Sequence, residues 1–306
     1  MRILITGSNG LLGQKIVKYC LINKISFLAT SFGENRNPEV PQNYYESIDI
    51  TDSSAIEGVV RRYEPTHIIN TAAITNVDAC EKDQELCQRV NVFAVQCLLD
   101  ICREYGIHFQ QLSTDFVFDG VQGDYSEEDP VNPLCVYAQS KVASEAILMN
   151  SGYENWSIVR TIIVFGTGYS LSRSNIVLWA MDALCKGESL TIVNDQFRAP
   201  TWADDLAKGC MLIVERNKSG IFHISGPETF SIVEIVQKIA KYVNAPIDLV
   251  RETSSAELNQ KASRPPRTGF DLSKAKKELG YLPLTFEEAL KVLDEQLKSN
   301  VYSNPQ

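Results

Sequence analysis

A tyrosine and a lysine spaced four residues apart, Tyr137 and Lys141, are the pair with the clearest chemical use in this sequence. At the start of a predicted helix, this spacing places both side chains on one face. A tyrosine with its ordinary pKa of about 10 is a poor proton donor-acceptor at neutral pH, but a nearby ammonium group stabilises its phenolate. The pair could therefore move a proton to or from a carbonyl or alkoxide oxygen.

A second chemical signal is the glycine-rich segment after the first predicted strand. Gly7, Gly10 and Gly13 stand three residues apart, where that strand meets the first predicted helix. Backbone amides at a helix N-terminus can hold a pyrophosphate, and glycine allows the phosphates to come close. We therefore predict a dinucleotide site that includes Gly7, Asn9, Gly10, Leu11, Leu12 and Gly13.

The third stretch is residues 112–120, which read LSTDFVFDG and follow a predicted strand. Ligands of Rossmann-type sheets bind at the carboxyl ends of the strands, so Thr114 should face the site. Its hydroxyl would orient a substrate carbonyl that receives a hydride, and Tyr137 would protonate the alkoxide. We predict a catalytic set of Thr114, Tyr137 and Lys141, in which Lys141 also binds the nicotinamide ribose.

The elements that must position these residues alternate between strand and helix. We predict strands at 2–6, 25–31, 67–73, 107–113 and 157–164, and helices at 11–23, 53–64, 83–105 and 137–150. This order predicts an α/β protein with a Rossmann-type doubly wound parallel sheet. Later segments are less regular, with predicted helices near 173–186, 203–216, 231–243 and 285–298 and a strand at 221–224.

We expect two regions. A dinucleotide-binding domain would comprise 1–166 and about 201–226, and a smaller, mixed α/β C-terminal substrate-binding region about 167–200 and 227–306. The 306 residues are 44% apolar and 22% charged, a mix that is typical of globular proteins.

The formal net charge of −9 disfavours nucleic acid and anionic membranes as partners, although a small phosphorylated ligand needs only a local positive pocket. The apolar run at Met1 predicts a first strand and not a signal peptide, and no stretch reaches the roughly 18 apolar residues of a membrane span. We expect a cytoplasmic protein, for which a homodimer is one possible assembly.

The cysteine and histidine patterns do not indicate a metal site. The eight cysteines contain no CxxC pair, which favours reduced thiols. His67, His108 and His223 lie far apart, a spacing more typical of structural side chains than of metal ligands. We predict no metal.

Several motifs together resemble the extended short-chain dehydrogenase/reductase superfamily: the GxxGxxG spacing, the pair Asp49-Ile50 and the stretch Asn70-Thr71-Ala72-Ala73. The resemblance implies that Asp49 and Ile50 contact the adenine and that Ala72 and Ala73 line the cofactor. Arg36, after the second predicted strand, could meet a 2′-phosphate and so favours NADPH. Glu34 leaves NADH open.

Residues 70–78, 113–120 and 194–201 are similar to the dTDP-4-dehydrorhamnose reductase family in particular. The resemblance covers nearly the whole chain. It implies reduction of the 4-keto group of a deoxythymidine diphosphate sugar, a step towards dTDP-L-rhamnose, with Thr75 and Val77 near the sugar. Arg198, Arg264 and Arg267 could bind the diphosphate of a nucleotide-linked sugar substrate.

The chain departs from that family's pattern at three places. Arg198 replaces a glycine, residues 160–165 read RTIIVF instead of RTSWVY, and residues 264–268 read RPPRT instead of RPxNS. These changes leave open a reductase or epimerase of another sugar nucleotide. A non-catalytic NADP-binding regulatory subunit, like that of methionine adenosyltransferase, is a further alternative.

Overall fold

The computed structural model describes residues 1–172, 174–258 and 262–299. Outside the described residues lie residue 173 of one predicted helix and, in the predicted substrate-binding region, residues 259–261 and 300–306. The strands are β1 (Arg2–Thr6), β2 (Ser26–Ser31), β3 (Tyr45–Ser47), β4 (His67–Asn70), β5 (His108–Thr114), β6 (Trp156–Thr161), β7 (Val164–Phe165), β8 (Leu190–Val193), β9 (Phe197–Arg198), β10 (Thr201–Trp202), β11 (Gly220–His223), β12 (Phe230–Ser231) and β13 (Val250–Thr253).

Helices cover the sheet and fill the C-terminal half. They are α1 (Leu11–Asn23), α2 (Ser53–Tyr63), α3 (Val77–Lys82), α4 (Gln84–Gln88), α5 (Ala94–Tyr105), α6 (Val136–Met149), α7 (Ile176–Cys185), α8 (Ala203–Glu215), α9 (Ile232–Tyr242), α10 (Ser273–Leu279) and α11 (Phe286–Lys298).

Seven strands form one parallel sheet in the order β3-β2-β1-β4-β5-β6-β11. Both faces are buried because successive apolar residues point to opposite sides. Ile3 and Ile5 pack in a core with α1, α8 and α10, whereas Leu4 packs in a second core with α2 and α5. The predicted doubly wound Rossmann-type sheet is confirmed.

The strand order reverses between β1 and β4, which creates a crevice at the carboxyl ends of these strands. Thr6 and Asn70 are register partners at this edge, and the Thr6 hydroxyl donates to Asn70 Oδ1 over 2.6 Å. Asn70 Nδ2 donates in turn to Gln111 Oε1 of β5 over 2.7 Å. These buried bonds fix the strand ends from which the glycine-rich segment and Ala72 emerge.

A further core lies in the C-terminal half, where β8 pairs with β13 and α7, α9 and α11 pack around them. Four side chains in and around α10 instead join the first core, on the α1 and α8 face of the sheet: Leu272, Ala275, Leu279 and Tyr281. The division of the chain into two domains stays a prediction.

Four predicted elements differ from the structure. The strand predicted at 157–164 ends at Thr161, and Val164 begins β7, which pairs with β10 outside the main sheet. The helix predicted at 83–105 is interrupted by a π-helical turn, Arg89–Phe93, between α4 and α5. The strand predicted at 67–73 ends at Asn70, whose side chain accepts a hydrogen bond from the Ala72 amide and turns the backbone out of the sheet. The helix predicted at 173–186 begins at Ile176, because Asn175 caps it.

Candidate active site

The glycine-rich segment forms a cradle above the crevice. Gly7 has φ +68°, and a Cβ there would lie 2.6 Å from the Ala72 nitrogen. A Cβ on Gly13 would lie 2.5 Å from the Gly7 oxygen, so both glycines are needed to fold the segment. A Cβ on Gly10, at the N-cap of α1, would meet only the Gly7 oxygen, at 3.2 Å, among the described residues. Gly10 therefore keeps space open at a helix N-terminus, which suits a pyrophosphate.

Asn9 ties this segment to the loop after β2. Its Nδ2 donates to the Glu34 carbonyl over 2.8 Å, and its Oδ1 accepts from the Arg36 amide over 2.9 Å. The Arg36 side chain is exposed beside the cradle. Asp49 lies just beyond β3 and accepts from the amide and hydroxyl of Thr51, both over 2.8 Å. This edge is where an adenine and its ribose would meet the sheet.

A segment from the C-terminal half crosses over α1, a contact that the sequence patterns did not predict. Gln14 Nε2 donates to the Tyr169 carbonyl and the Tyr169 amide donates to Gln14 Oε1, each over 2.8 Å. The Tyr169 hydroxyl donates to Glu39 Oε1 over 3.1 Å. Tyr169 thus joins the first turn of α1 to the loop after β2.

Thr114, Tyr137 and Lys141 meet at the carboxyl end of β5. Thr114 is the last residue of β5, and Tyr137 and Lys141 are buried on the first turns of α6. The Thr114 hydroxyl lies close to that of Tyr137, whose pKa it lowers, and it donates to Asp115 Oδ1 over 3.0 Å. The residues predicted as a catalytic set are therefore brought together.

Burial dominates the electrostatics of this group. It raises the pKa of Tyr137, and the nearby Thr114 hydroxyl only partly opposes the rise. Burial also lowers the pKa of Lys141 to about 8, against the stabilising charge of Glu145 one helical turn away. Tyr137 is therefore a protonated acid at neutral pH, and Lys141 is charged there but loses its proton as the pH rises through 8.

Asn91 connects the cofactor side to the catalytic helix, and the sequence reasoning missed it. In the π-helical turn, its Oδ1 accepts from the Ile74 amide over 2.8 Å. Its Nδ2 donates over 3.0 Å to the Ile74 carbonyl and to the Ser140 hydroxyl of α6. The available sequence signal was an asparagine among apolar residues at helical spacing. A buried asparagine needs polar partners, so its position indicates a contact with another segment.

Of the predicted substrate-binding residues, Val77 lies beside Tyr137. Thr75 is exposed just before α3, and Val77 packs in the same small core as Tyr137 and Ala262. Arg264 Nη2 pairs with Asp78 Oδ2 over 2.9 Å, which ties the segment after residue 262 to α3. Arg267 is half-exposed nearby, with its guanidinium 5.5 Å from the centre of the Phe197 ring.

A family model described as RmlD substrate binding domain matches residues 1–299. The chain belongs to this family. It is 31% identical over 304 residues to a dTDP-4-dehydrorhamnose reductase of Aggregatibacter actinomycetemcomitans, with 95% of this chain and 97% of that protein covered. Methionine adenosyltransferase 2 subunit beta of Xenopus laevis is 29% identical over 282 residues, covering 90% of this chain and 82% of that protein.

The crystal structure of a dTDP-4-dehydrorhamnose reductase from Bacillus anthracis in complex with NADP has the same fold as this RmlD-family chain. The TM-score is 0.83 at 26% sequence identity, with 96% of this chain and 99% of the other covered. The predicted family resemblance is confirmed.

Arg198 occupies an internal position in this RmlD-family chain. It is 1% exposed, and its Nη2 and Nη1 donate to the carbonyls of Pro265 and Phe197 over 2.6 and 2.7 Å. Its Nε lies 3.6 Å from Asp115 Oδ2. The prediction that Arg198 binds the diphosphate gains no support from this geometry, because the guanidinium is directed at protein groups.

The three histidines are all hydrogen-bonded within the protein. His67 pairs with Thr66, His108 with Asn155 and Ser157, and His223 with the Tyr125 carbonyl. Within the described ranges, no group of three His, Cys, Asp or Glu side chains could hold a metal ion. All eight cysteines are free thiols. Of the helices in the described part of the chain, none is long and apolar enough to cross a membrane.

Proposed function

We propose that this chain is a reductase that uses NADPH, or NADH, to reduce the 4-keto group of a nucleotide-linked deoxysugar, like the dTDP-4-dehydrorhamnose reductases that it resembles. Bound cofactor would supply the hydride to the carbonyl carbon. The amides after Gly10 would hold its pyrophosphate, and Ala72 and Ala73 would line its nicotinamide half.

Tyr137 is the proton donor in this proposal. As hydride reaches the carbonyl carbon, the oxygen becomes an alkoxide and takes the proton of the Tyr137 hydroxyl. The charged Lys141 stabilises the phenolate that remains, which water then reprotonates. A raised pKa suits this direction, because Tyr137 carries its proton at neutral pH.

Thr114 has two candidate roles in this step. Its proton is donated to Asp115, which leaves its oxygen as an acceptor beside the Tyr137 hydroxyl. The sequence-based role, a hydrogen bond from Thr114 to the substrate carbonyl, requires its hydroxyl to rotate away from Asp115. That role stays a prediction.

The observation that carries the proposal is the burial of Thr114 and Tyr137 side by side, with Lys141 also buried one turn along α6. A protein that only binds a nucleotide has no need for this costly arrangement, in which a phenol and an ammonium group are both desolvated.

The substrate would enter over Thr75 and Val77, with Arg264 and Arg267 available to its diphosphate. Arg36 supports NADPH over NADH, because its backbone amide is bonded to Asn9 of the glycine-rich segment and its exposed side chain could reach the 2′-phosphate of an adenosine ribose there. The exact sugar and base follow from neither feature.

The similarity to methionine adenosyltransferase subunit beta favours one second candidate, a non-catalytic NADP-binding regulatory subunit. The two candidates differ in turnover. We would incubate the purified full chain with NADPH or NADH and with a panel of 4-keto-6-deoxy sugars linked to dTDP, UDP or GDP, and follow loss of the reduced cofactor and the sugar product.

The proposal expects NADPH to be consumed in equal amount to a 4-hydroxy sugar nucleotide, and fastest with a dTDP sugar. Tight NADP binding without turnover on any sugar would favour the regulatory candidate. Conversion of the sugar without net loss of NADPH would indicate an epimerase. Equal or better turnover with NADH would remove the cofactor preference attributed to Arg36.

A further inference from the structure

Asp115 is a buried carboxylate whose two oxygens are both occupied by protein groups. Oδ1 accepts from the Thr114 hydroxyl over 3.0 Å. Oδ2 accepts from the Thr268 hydroxyl and lies 3.6 Å from Arg198 Nε. Asp115, Arg198 and Thr268 are exposed by only 3%, 1% and 0%, so water does not solvate the carboxylate. Asp115 can therefore hold Thr114 but has no free oxygen for a substrate.

The two Oδ2 partners come from segments far from Asp115 in the sequence. Arg198 ends β9, and a parallel bridge joins Phe197 to Arg267, which brings Thr268 alongside. The Phe197 amide donates to the Pro266 carbonyl over 2.7 Å, and the Thr268 amide donates to the Phe197 carbonyl over 3.0 Å. This bridge presents both partners to one oxygen.

Arg198 also lies against the aromatic side of the catalytic group. Its guanidinium is 5.3 Å from the centre of the Phe116 ring, and that ring meets the Tyr137 ring edge-on, with the centres 6.1 Å apart. The Nη1 and Nη2 atoms of Arg198 donate to backbone carbonyls, and its Nε lies next to Asp115 Oδ2.

Resting on the function proposed above, we propose that Arg198 is a positioning residue: by keeping Asp115 ionised and its Oδ2 engaged, it holds the Thr114 hydroxyl on Oδ1 and so fixes the oxygen that lies beside Tyr137. This role accounts for a buried arginine whose guanidinium is bonded to protein groups and not open to a phosphate. The charge is needed because an unpaired buried carboxylate takes up a proton.

The charges around Asp115 support this role. Burial raises the pKa of Asp115, and Arg198 is the largest of the influences that oppose the rise, followed by Thr268 and Thr114. Tyr137 faces Asp115 from α6, and Arg264 lies behind Arg198. Loss of Arg198 therefore removes the largest of these opposing influences and raises the pKa of Asp115 further, which favours its protonated form. A protonated Asp115 donates a hydrogen bond and no longer fixes the Thr114 hydroxyl as its donor.

The test compares Arg198→Met, Arg198→Lys, Thr268→Val and Asp115→Asn in the full chain. We expect Arg198→Met to lower kcat by about tenfold to a hundredfold at neutral pH, as misplacement of a reacting group does. Its kcat should recover as the pH rises and Asp115 ionises again, whereas Asp115→Asn should stay slow at every pH. Arg198→Lys should retain most of the activity, and Thr268→Val should show a weaker form of the same pH dependence.

A second readout does not depend on turnover. Carbon NMR of protein with labelled aspartate, with the Asp115 signal assigned by its loss in Asp115→Asn, should show an ionised carboxylate at neutral pH. In Arg198→Met this signal should move to that of the protonated acid. Arg216→Met, which removes an exposed arginine bonded to the Glu278 carbonyl, is the matched control and should change neither readout.

An Arg198→Met enzyme with unchanged kcat, or one slowed equally at every pH with the Asp115 signal unmoved, would overturn the proposal. If Arg198→Met does not fold, Thr268→Val decides by the same two readouts. Failure of the proposed function looks different: the wild-type chain would then turn over no sugar nucleotide, while the NMR signal would still report on Arg198 and Asp115.

Discussion

At the scale of single residues, burial of the charged Lys141 lowers the stability of the folded chain. Lys141 is buried beside Tyr137, and burial lowers its pKa to about 8. Between this value and its ordinary value of about 10.4, the unfolded chain binds the proton and the folded chain does not. The charged lysine therefore destabilises the folded chain fully below pH 8, and this cost disappears as the pH rises above about 10.

Lys141→Met should accordingly have opposite effects on activity and stability. Turnover should fall by about a hundredfold or more, and NADPH binding should weaken. The free energy of unfolding without cofactor should rise at pH 7 by on the order of 1–3 kcal/mol, with a smaller gain at pH 10. Urea unfolding at the two pH values and steady-state kinetics measure these effects.

The matched control for Lys141 is Lys186→Met. Lys186 is exposed just after α7 and pairs with Asp182 of that helix over 2.7 Å. This variant should retain normal turnover and stability. Normal turnover in Lys141→Met would remove Lys141 from the proposed catalytic set.

Arg264 is the residue whose role in substrate binding is most readily tested. It is partly buried, pairs with Asp78 and lies next to the segment of Thr75 and Val77. Arg264→Ala should raise the KM for the sugar nucleotide by about tenfold, the loss expected for one charged contact to a diphosphate, while kcat changes less. If both Arg264→Ala and Arg267→Ala leave KM unaltered, the two arginines serve only the protein surface.

At the scale of elements, the glycine-rich segment separates a folding requirement from a binding requirement. Gly7 and Gly13 are closed in by backbone at 2.5–2.6 Å, whereas a Cβ on Gly10 would meet one backbone oxygen, at 3.2 Å, among the described residues. Gly10→Val should therefore fold but lose most NADP affinity, because its side chain fills the cradle. Calorimetric titration with NADP, together with a thermal unfolding curve, tests this expectation.

Two other glycine variants serve as controls for Gly10→Val. Gly13→Val should unfold the chain, because its Cβ would lie 2.5 Å from the Gly7 oxygen. Gly58→Ala, on α2 with only the Arg62 side chain near, should bind NADP normally. Unchanged affinity in a folded Gly10→Val would contradict the assignment of the cofactor to this segment.

The sequence predicts those elements that depend on short-range patterns, and it misses those that depend on contacts between residues far apart along the chain. The strand-helix alternation and the glycine spacing are short-range patterns, so they predict the sheet and the cradle. Asn91 sits in a π-helical turn that the apolar periodicity hides. Arg198 looks like a phosphate ligand in the sequence, and only its contact with Asp115, distant along the chain, assigns it an internal task.

At the scale of the whole molecule, a buried polar network joins the edge of the sheet to the segment that leads to α6. Arg160 of β6 forms a bidentate pair with Glu145 over 2.9 and 2.7 Å and lies 3.4 Å from His223 of β11. Burial, and then the charge of Arg160, lower the pKa of His223 to about 3. The folded chain therefore holds this histidine neutral.

The lowered pKa of His223 makes the stability of the folded chain depend on pH. Between pH 6.5 and about 3 the unfolded chain protonates His223 and the folded chain does not, so stability falls as the pH falls. The contribution is about 1.4 kcal/mol per pH unit. His223→Gln should flatten the plot of unfolding free energy against pH by this slope between pH 6.5 and 5, as urea titrations would show.

His67 offers a comparison for that slope. Burial lowers its pKa only to about 4, so its proton-linked contribution ends at a higher pH than that of His223. An unchanged slope in His223→Gln would mean that the folded chain can protonate this histidine, contrary to its burial.

The most direct measurement of the central claim is the turnover of Tyr137→Phe with NADPH and the best 4-keto sugar nucleotide. Phenylalanine keeps the ring and its contact with Phe116 but removes the proton that the alkoxide must receive. We predict turnover reduced by about a hundredfold to ten-thousandfold, with cofactor and sugar nucleotide still bound. A variant that keeps more than about a tenth of normal turnover would contradict the account, because a missing general acid does not permit it.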